Sequence, residues 1–88
     1  MLLPHAAIER VASQHARELS KCNAGEELHG EITVWFSVDP AGKVSKAQVA
    51  TTLRKPSIAA CIQRSVQAWR FPPQAEPGAV GTYTLSFQ

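Results

Sequence analysis

The chain has 88 residues, of which 18% are charged and 44% are hydrophobic, and its formal net charge is +2. This length suits one domain with a thin hydrophobic core, and the balance of charged and apolar residues argues against disorder. No stretch of about 18 apolar residues occurs, so the sequence predicts no direct membrane insertion by this chain.

The first predicted element is a helix over residues 4–22. Its apolar side chains recur at helical spacing, at Ile8, Val11, Ala12, His15, Leu19 and Cys22. Pro4 suits the first turn of a helix. Residues 23–25, Asn-Ala-Gly, tolerate the left-handed conformation in which helices end.

Two strands are predicted next. Residues 30–38 alternate strictly, with Ile32, Val34, Phe36 and Val38 on one face, which is typical of a half-buried strand. Residues 39–42, Asp-Pro-Ala-Gly, favour a turn, so residues 44–53 should return as an antiparallel second strand. Along this strand the apolar residues change from an even position, Val44, to odd positions, Ala47, Val49 and Leu53, which predicts a bulge near Lys46.

A second helix is predicted over residues 56–70, beginning at Pro56 and ending before the prolines at 72 and 73. Residues 80–87 alternate again and form the third predicted strand. The helix crossover should place this strand parallel to the second and beside the first. The expected fold is α+β, with two helices on one face of a three-stranded antiparallel or mixed sheet.

The two cysteines, Cys22 and Cys61, admit three interpretations: a disulfide, two reduced core residues, or a zinc site. Packing both predicted helices on one sheet face would bring the two sulfurs together, which favours the disulfide. The cysteines have neither a CxxC motif nor a nearby histidine pair, so their spacing does not suit zinc.

No set of convergent catalytic groups is recognisable, so we expect neither enzymatic activity nor a cofactor. His15 lies on the apolar helix face, where a hydrogen-bonded core histidine is a better interpretation than a ligand or base. Basic residues surround the second helix, at Arg54, Lys55, Arg64 and Arg70. Arg64 and Arg70 fall on the polar side of this helix, which suits a solvated face, so a small nucleic-acid-binding domain is the less favoured alternative and we expect no nucleic-acid partner.

The third strand has no charged residue and no proline between residues 79 and 88, so its edge is undefended. Such an edge is either covered, by a partner or by a second copy of the chain, or kept open to receive an extended peptide. Trp35 stands on the otherwise polar sheet face, where it serves either a partner contact or cross-strand packing.

Several motifs occur in an order typical of one family. They are Cys22, GEITV at residues 30–34, VDPAGKV at residues 38–44, Cys61-Ile62 and WRFP at residues 69–72, followed by an aromatic terminal strand. This chain resembles the TonB C-terminal domain family over most of its length. The paired cysteines look most like the adventurous-gliding-motility branch known from myxobacteria, of AgmX/PglI type.

The resemblance implies a non-enzymatic periplasmic domain at the end of an inner-membrane-anchored protein, driven by an ExbB/ExbD-like motor. It would engage an outer-membrane protein through an extended peptide. In that family the last strand receives the peptide, which here implies Gly81, Thr82, Tyr83, Thr84, Leu85 and Ser86. Alternatives are a TolA-like domain that binds a folded partner, and a structural domain that dimerises through the third strand. As an isolated chain it should be a monomer or a weak homodimer.

Overall fold

The computed structural model describes residues 2–22, 29–75 and 77–87. Three helices and three strands lie within them: α1 (His5–Gln14), α2 (Ala16–Lys21), β1 (Gly30–Val38), β2 (Val44–Thr51), α3 (Pro56–Gln67) and β3 (Ala79–Phe87). The helix end predicted at residues 23–25 lies outside the described residues.

The N-terminal helix is interrupted, so the prediction of one helix over residues 4–22 was wrong. His15 leaves the helical region, with φ −110° and ψ 14°. Its Nδ1 atom donates a hydrogen bond to Oε2 of Glu18 at 2.9 Å, and its ring lies 6.0 Å from that of Trp69. These two contacts fix the side chain of His15 at the junction of α1 and α2.

The sheet has the order β2-β1-β3, and both outer strands run antiparallel to β1. The predicted α+β fold with a central first strand is therefore confirmed, and the sheet is antiparallel rather than mixed. The predicted bulge is also present beside Lys46. Ser37 pairs with Lys46 and Val38 pairs with Val44, which leaves Ser45 as the extra residue.

The core lies between one sheet face and the helices. α3 packs on β2 and β1, while α1 packs on β3. The apolar residues of β1 line this inner face, and Trp69 lies fully buried against it. The Trp69 ring is close to the rings of Phe36, Phe71 and Tyr83, with centroids 5.7 to 6.4 Å away. The other sheet face carries no helix among the described residues.

Cys22 and Cys61 form a disulfide with their Cα atoms 5.6 Å apart. The predicted bridge is confirmed, and the two alternative states of the cysteines are excluded in this structure. The bond joins the end of α2 to the middle of α3, so it fixes the helical layer across a sequence separation of 39 residues. Within the described ranges, no cluster of histidine, cysteine and acidic residues could hold a metal ion.

The hairpin turn between β1 and β2 contacts the segment that follows α3. Gly42 adopts a φ of 92°, and its carbonyl accepts a hydrogen bond from the Phe71 N–H at 2.8 Å. The Asp39 carboxylate accepts another from the Lys43 N–H at 2.9 Å. The turn therefore holds in place the segment that carries the buried Trp69 and Phe71.

Candidate partner-binding edge

β3 pairs with β1 on one side only, so its other side is an edge of the sheet. The Val80 carbonyl accepts a hydrogen bond from the Leu3 N–H at 2.8 Å on this outer side. In a strand, alternate residues direct their N–H and C=O groups to the same side. Thr82, Thr84 and Ser86 therefore also direct these groups outward. Within the part of the chain that the structure describes, no strand pairs with them there.

The opposite edge of the sheet is better protected. The side chain of Gln63, from α3, donates a hydrogen bond from Nε2 to the Ala47 carbonyl at 2.9 Å. The bulge at Ser45 distorts this edge, and Lys46 places a charge on it. Both features discourage pairing with another strand. β3 is thus the edge more suited to receiving another strand.

A groove of about 320 Å³ lies beside β3 on the inner face. Its sheet side consists of half-buried apolar or aromatic side chains, those of Tyr83, Leu85 and Phe87. Its helical side is built from α1 and α2, mostly from small residues: Ala12, Ser13, Ala16, Leu19 and Ser20. The groove therefore offers apolar contact to side chains that an added strand would direct inward.

Gly81 is buried where the N-terminal segment crosses β3. A Cβ atom at this position would lie 2.9 Å from Cδ1 of Ile8 and 3.3 Å from Cδ1 of Leu3. It would also lie 3.0 Å from Cζ of Phe36. The absence of a side chain at Gly81 therefore lets both N-terminal side chains pack directly on the strand.

A second, larger groove of about 560 Å³ includes part of the open sheet face. Three large apolar side chains line it while remaining exposed: Leu2 at 78%, Trp35 at 49% and Val80 at 39%. Trp35 pairs across the strands with Thr82, which places it at the start of the outward-facing part of β3. Next along the ladder, the hydroxyls of Thr33 and Thr84 lie 3.0 Å apart.

The hydroxyl-bearing ring of Tyr83 faces the core rather than the open face. It packs edge-on against Trp69, and burial raises the pKa of its phenol, with a smaller contribution from the negative charge of Glu9. Trp69 itself has a buried Nε1 atom without a hydrogen-bond partner. The side chain of Tyr83 is therefore part of both the core and the groove beside β3.

The ionisable groups show no arrangement suited to catalysis in the described part of the chain. The hydrogen bond from His15 holds the pKa of the exposed Glu18 carboxyl below its ordinary value, and Ser65 adds a weaker bond. Arg70 donates to the carbonyls of Ala68 and Trp69 at 3.2 and 3.0 Å, so it satisfies the end of α3. These contacts stabilise helix ends.

Sequence reasoning missed the residues that border β3 from the N-terminal side. Leu2 and Leu3 cross its edge, and four small helical residues line the inner groove. One signal was available, because a residue before proline favours an extended backbone, and Leu3 precedes Pro4. Which strand this extended segment meets depends on tertiary packing.

The geometry defines a class: small two-layer α+β domains with one open strand edge between two apolar grooves. The family described as "Gram-negative bacterial TonB protein C-terminal" has a model that matches residues 20–88. The chain belongs to the TonB C-terminal domain family. This family comprises periplasmic, non-enzymatic interaction domains that bind outer-membrane partners and serve energy transduction across the envelope.

The fold also resembles that of the C-terminal domain of TonB from Pseudomonas aeruginosa, solved by solution NMR. The TM-score is 0.56 at 17% identity, over 77% of this chain and 73% of that chain. No curated protein sequence matches the chain. In the part that the structure describes, no helix is long and apolar enough to cross a membrane. Residues 2–19, which include α1, lie outside the family match.

Proposed function

We propose that this domain captures an extended peptide of an outer-membrane protein by adding it as a strand to β3. The observation that carries this proposal is the row of outward main-chain groups at Thr82, Thr84 and Ser86. The strand that bears them has neither charge nor proline, and an apolar groove runs beside it. Such an edge supplies main-chain hydrogen bonds for affinity and side-chain pockets for selectivity.

The other residues of the strand have a different role in this proposal. Gly81, Tyr83 and Leu85 form ladder bonds with β1, and the side chains of Tyr83 and Leu85 contact the peptide's inward side chains. Trp35 lies beside Thr82 on the open face, where it covers the peptide's outward side chains. One strand thereby offers hydrogen bonds along its edge and apolar contact on both faces.

In the cell, we place the domain at the periplasmic end of an inner-membrane-anchored protein coupled to an ExbB/ExbD-like motor. Peptide capture then transmits force to the outer membrane, or tethers the two membranes. The paired cysteines support the motility branch of AgmX/PglI type, in which the force would serve gliding rather than transport.

A TolA-like role, in which the domain binds a folded partner, is the second candidate. The groove around Trp35 supports it, because three exposed apolar side chains, those of Leu2, Trp35 and Val80, line it. Contiguous exposed apolar surface is typical of protein interfaces. The two candidates differ in whether the main chain of β3 or the side chain of Trp35 provides most of the affinity.

The test compares two substitutions at residue 84. Thr84→Pro removes an outward N–H without removing a bond to β1, because this N–H points away from β1. Thr84→Ala keeps the N–H and loses only the hydroxyl contact with Thr33. The probe is a synthetic peptide of alternating threonine and valine, as long as residues 82–86, with its termini blocked.

We expect Thr84→Pro to weaken the probe's binding by about tenfold or more, since it removes a main-chain hydrogen bond and opposes the added strand by steric conflict. Thr84→Ala should bind nearly as the unmodified chain does, and Trp35→Ala should have an intermediate effect. Calorimetric titration measures all four affinities. A larger loss from Trp35→Ala than from Thr84→Pro would favour the folded-partner interface.

A further inference from the structure

The N-terminal residues already occupy one end of the β3 edge. Leu2 forms a parallel bridge with Val80, and the Leu3 N–H donates to the Val80 carbonyl at 2.8 Å. The Leu3 side chain is buried, in contrast to the exposed Leu2. We refer to residues 2–4 as the strap. The strap uses the outward carbonyl that an added strand would otherwise find at Val80.

The strap is held by packing as well as by its hydrogen bond. Leu3 and Ile8 both pack at Gly81, where a Cβ atom would crowd them. Pro4 is extended, with φ −60° and ψ 139°, and its carbonyl accepts bonds from the first turn of α1 at Ala7 and Ile8. The direction in which the strap leaves the edge is therefore fixed by α1.

The strap does not belong to the part of the chain that matches the family. The match covers residues 20–88, which include all of β3, whereas residues 2–19 include the strap and α1. The shared fold therefore does not account for the cover over the Val80 end of β3. This cover belongs to the segment that precedes the family match in this chain.

We propose that the strap determines which peptides β3 accepts, by ending the binding edge at Thr82. This inference rests on the proposed strand addition. A peptide can pair with Thr82, Thr84 and Ser86 while the strap remains in place. A longer peptide reaches Val80 only when it displaces the strap, because the peptide and the strap would occupy the same side of β3 and use the same Val80 carbonyl. The strap thus limits the length of the added strand and fixes its register.

The experiment uses two blocked peptides of alternating threonine and valine, one as long as residues 82–86 and one as long as residues 79–87. Each is titrated into the full chain and into a variant without residues 1–3, released from a cleavable tag. The matched control is Leu2→Ala, because Leu2 is exposed and its N–H is not the donor to Val80. Circular dichroism checks that each variant is folded.

We expect the short peptide to bind all three proteins equally. The long peptide should bind the variant without residues 1–3 about tenfold more tightly than the full chain. In the full chain, binding must break the Leu3 hydrogen bond and expose the Leu3 side chain, and the variant does not have this cost. In the full chain, hydrogen exchange of the Leu3 amide should stay slow with the short peptide and become fast with the long one.

Three outcomes overturn the inference. Equal affinity of the long peptide for the full chain and for the variant would do so while leaving strand addition intact. Tighter binding of the long peptide than of the short one to the full chain, with the Leu3 amide still protected, would do so without any variant, because the added strand would then extend past Thr82 beside an intact strap. Failure of both peptides to bind any of the proteins would overturn strand addition itself, and with it the role of the strap.

Discussion

Gly42 is a residue at which both the backbone angle and the surroundings require glycine. Its φ is 92°, and a Cβ atom would overlap the carbonyl oxygen of Phe71. Gly78 has a similar φ of 82°, yet a Cβ atom there would meet nothing within 4 Å. The two positions therefore separate the cost of a positive φ from the cost of a steric overlap.

We expect Gly78→Ala to lower the free energy of unfolding by about 1 kcal/mol, the cost of a left-handed alanine. Gly42→Ala should lower it by about 3 kcal/mol or more, since the turn must also move away from Phe71. Urea unfolding monitored by circular dichroism measures both. Equal losses of unfolding free energy would show that the turn can move away from Phe71 without losing stability.

Tyr83 provides a second prediction for a single residue, because it is the only tyrosine. Burial raises the pKa of its phenol above the ordinary value, and the negative charge of Glu9 adds to the shift. The native state therefore holds the phenol proton more strongly than the unfolded chain does. The associated stability is present below the unfolded pKa and is lost as the pH rises through the folded pKa.

Ultraviolet absorbance of the phenolate follows this titration directly. We expect its midpoint in the native chain to exceed that of the same chain in urea. Glu9→Gln should lower the native midpoint slightly, because it removes the smaller of the two causes. Coinciding native and urea midpoints would mean that the ring of Tyr83 is solvated, and would remove it from the groove beside β3.

Among the elements, the disulfide determines how firmly the helical layer is held together. Cys22 and Cys61 close a loop with a sequence separation of 39, for which the chain-entropy model gives about 4 kcal/mol of stabilisation. The double variant Cys22→Ala, Cys61→Ala should therefore lose roughly 2–4 kcal/mol of unfolding free energy. Urea unfolding of the oxidised chain and of the double variant, in the same buffer, measures the difference. A loss below about 1 kcal/mol would indicate that α2 and α3 are held mainly by packing.

The strands were the elements most accessible to sequence reasoning. β1 buries one face and leaves the other open, so its apolar residues alternate and reveal both the strand and its orientation. The break at His15 could not be found this way, because the apolar spacing of α1 continues through it to Leu19 and Cys22. The contacts that His15 makes at the break include one with Trp69, which is distant in sequence and reaches it only in the packed chain.

The candidate site was accessible to a similar extent. The absence of charge and proline identified β3 as an unprotected edge before its pairing was known. The sequence could not indicate which of its residues face outward, because that depends on the register with β1 and on the bond between Leu3 and Val80. It also could not indicate that Gly81 lies beneath Leu3 and Ile8.

At the scale of the whole molecule, the three helices in the described part of the chain lie on one side of the sheet, and β3 lies between the two grooves. One groove uses the inner side chains of β3 and the other uses the open face near Val80. Any partner that engages both grooves must pass over the edge of β3. The position of this strand in the sheet therefore brings the backbone and side-chain contacts of the proposed complex together.

The disulfide also determines how the domain would respond to mechanical load. When the chain is pulled between Leu2 and β3, tension runs along residues 2–22, crosses the sulfur bridge to Cys61, and continues to residue 87. Residues 23–60, which include β1 and β2, are outside this load path. Single-molecule pulling should therefore give a total extension roughly 130 Å shorter for the oxidised chain than for the reduced chain. In a cell, such a domain would act as a short, stiff link under tension, and the central strand that positions β3 could not be drawn out lengthwise while the bridge remained intact.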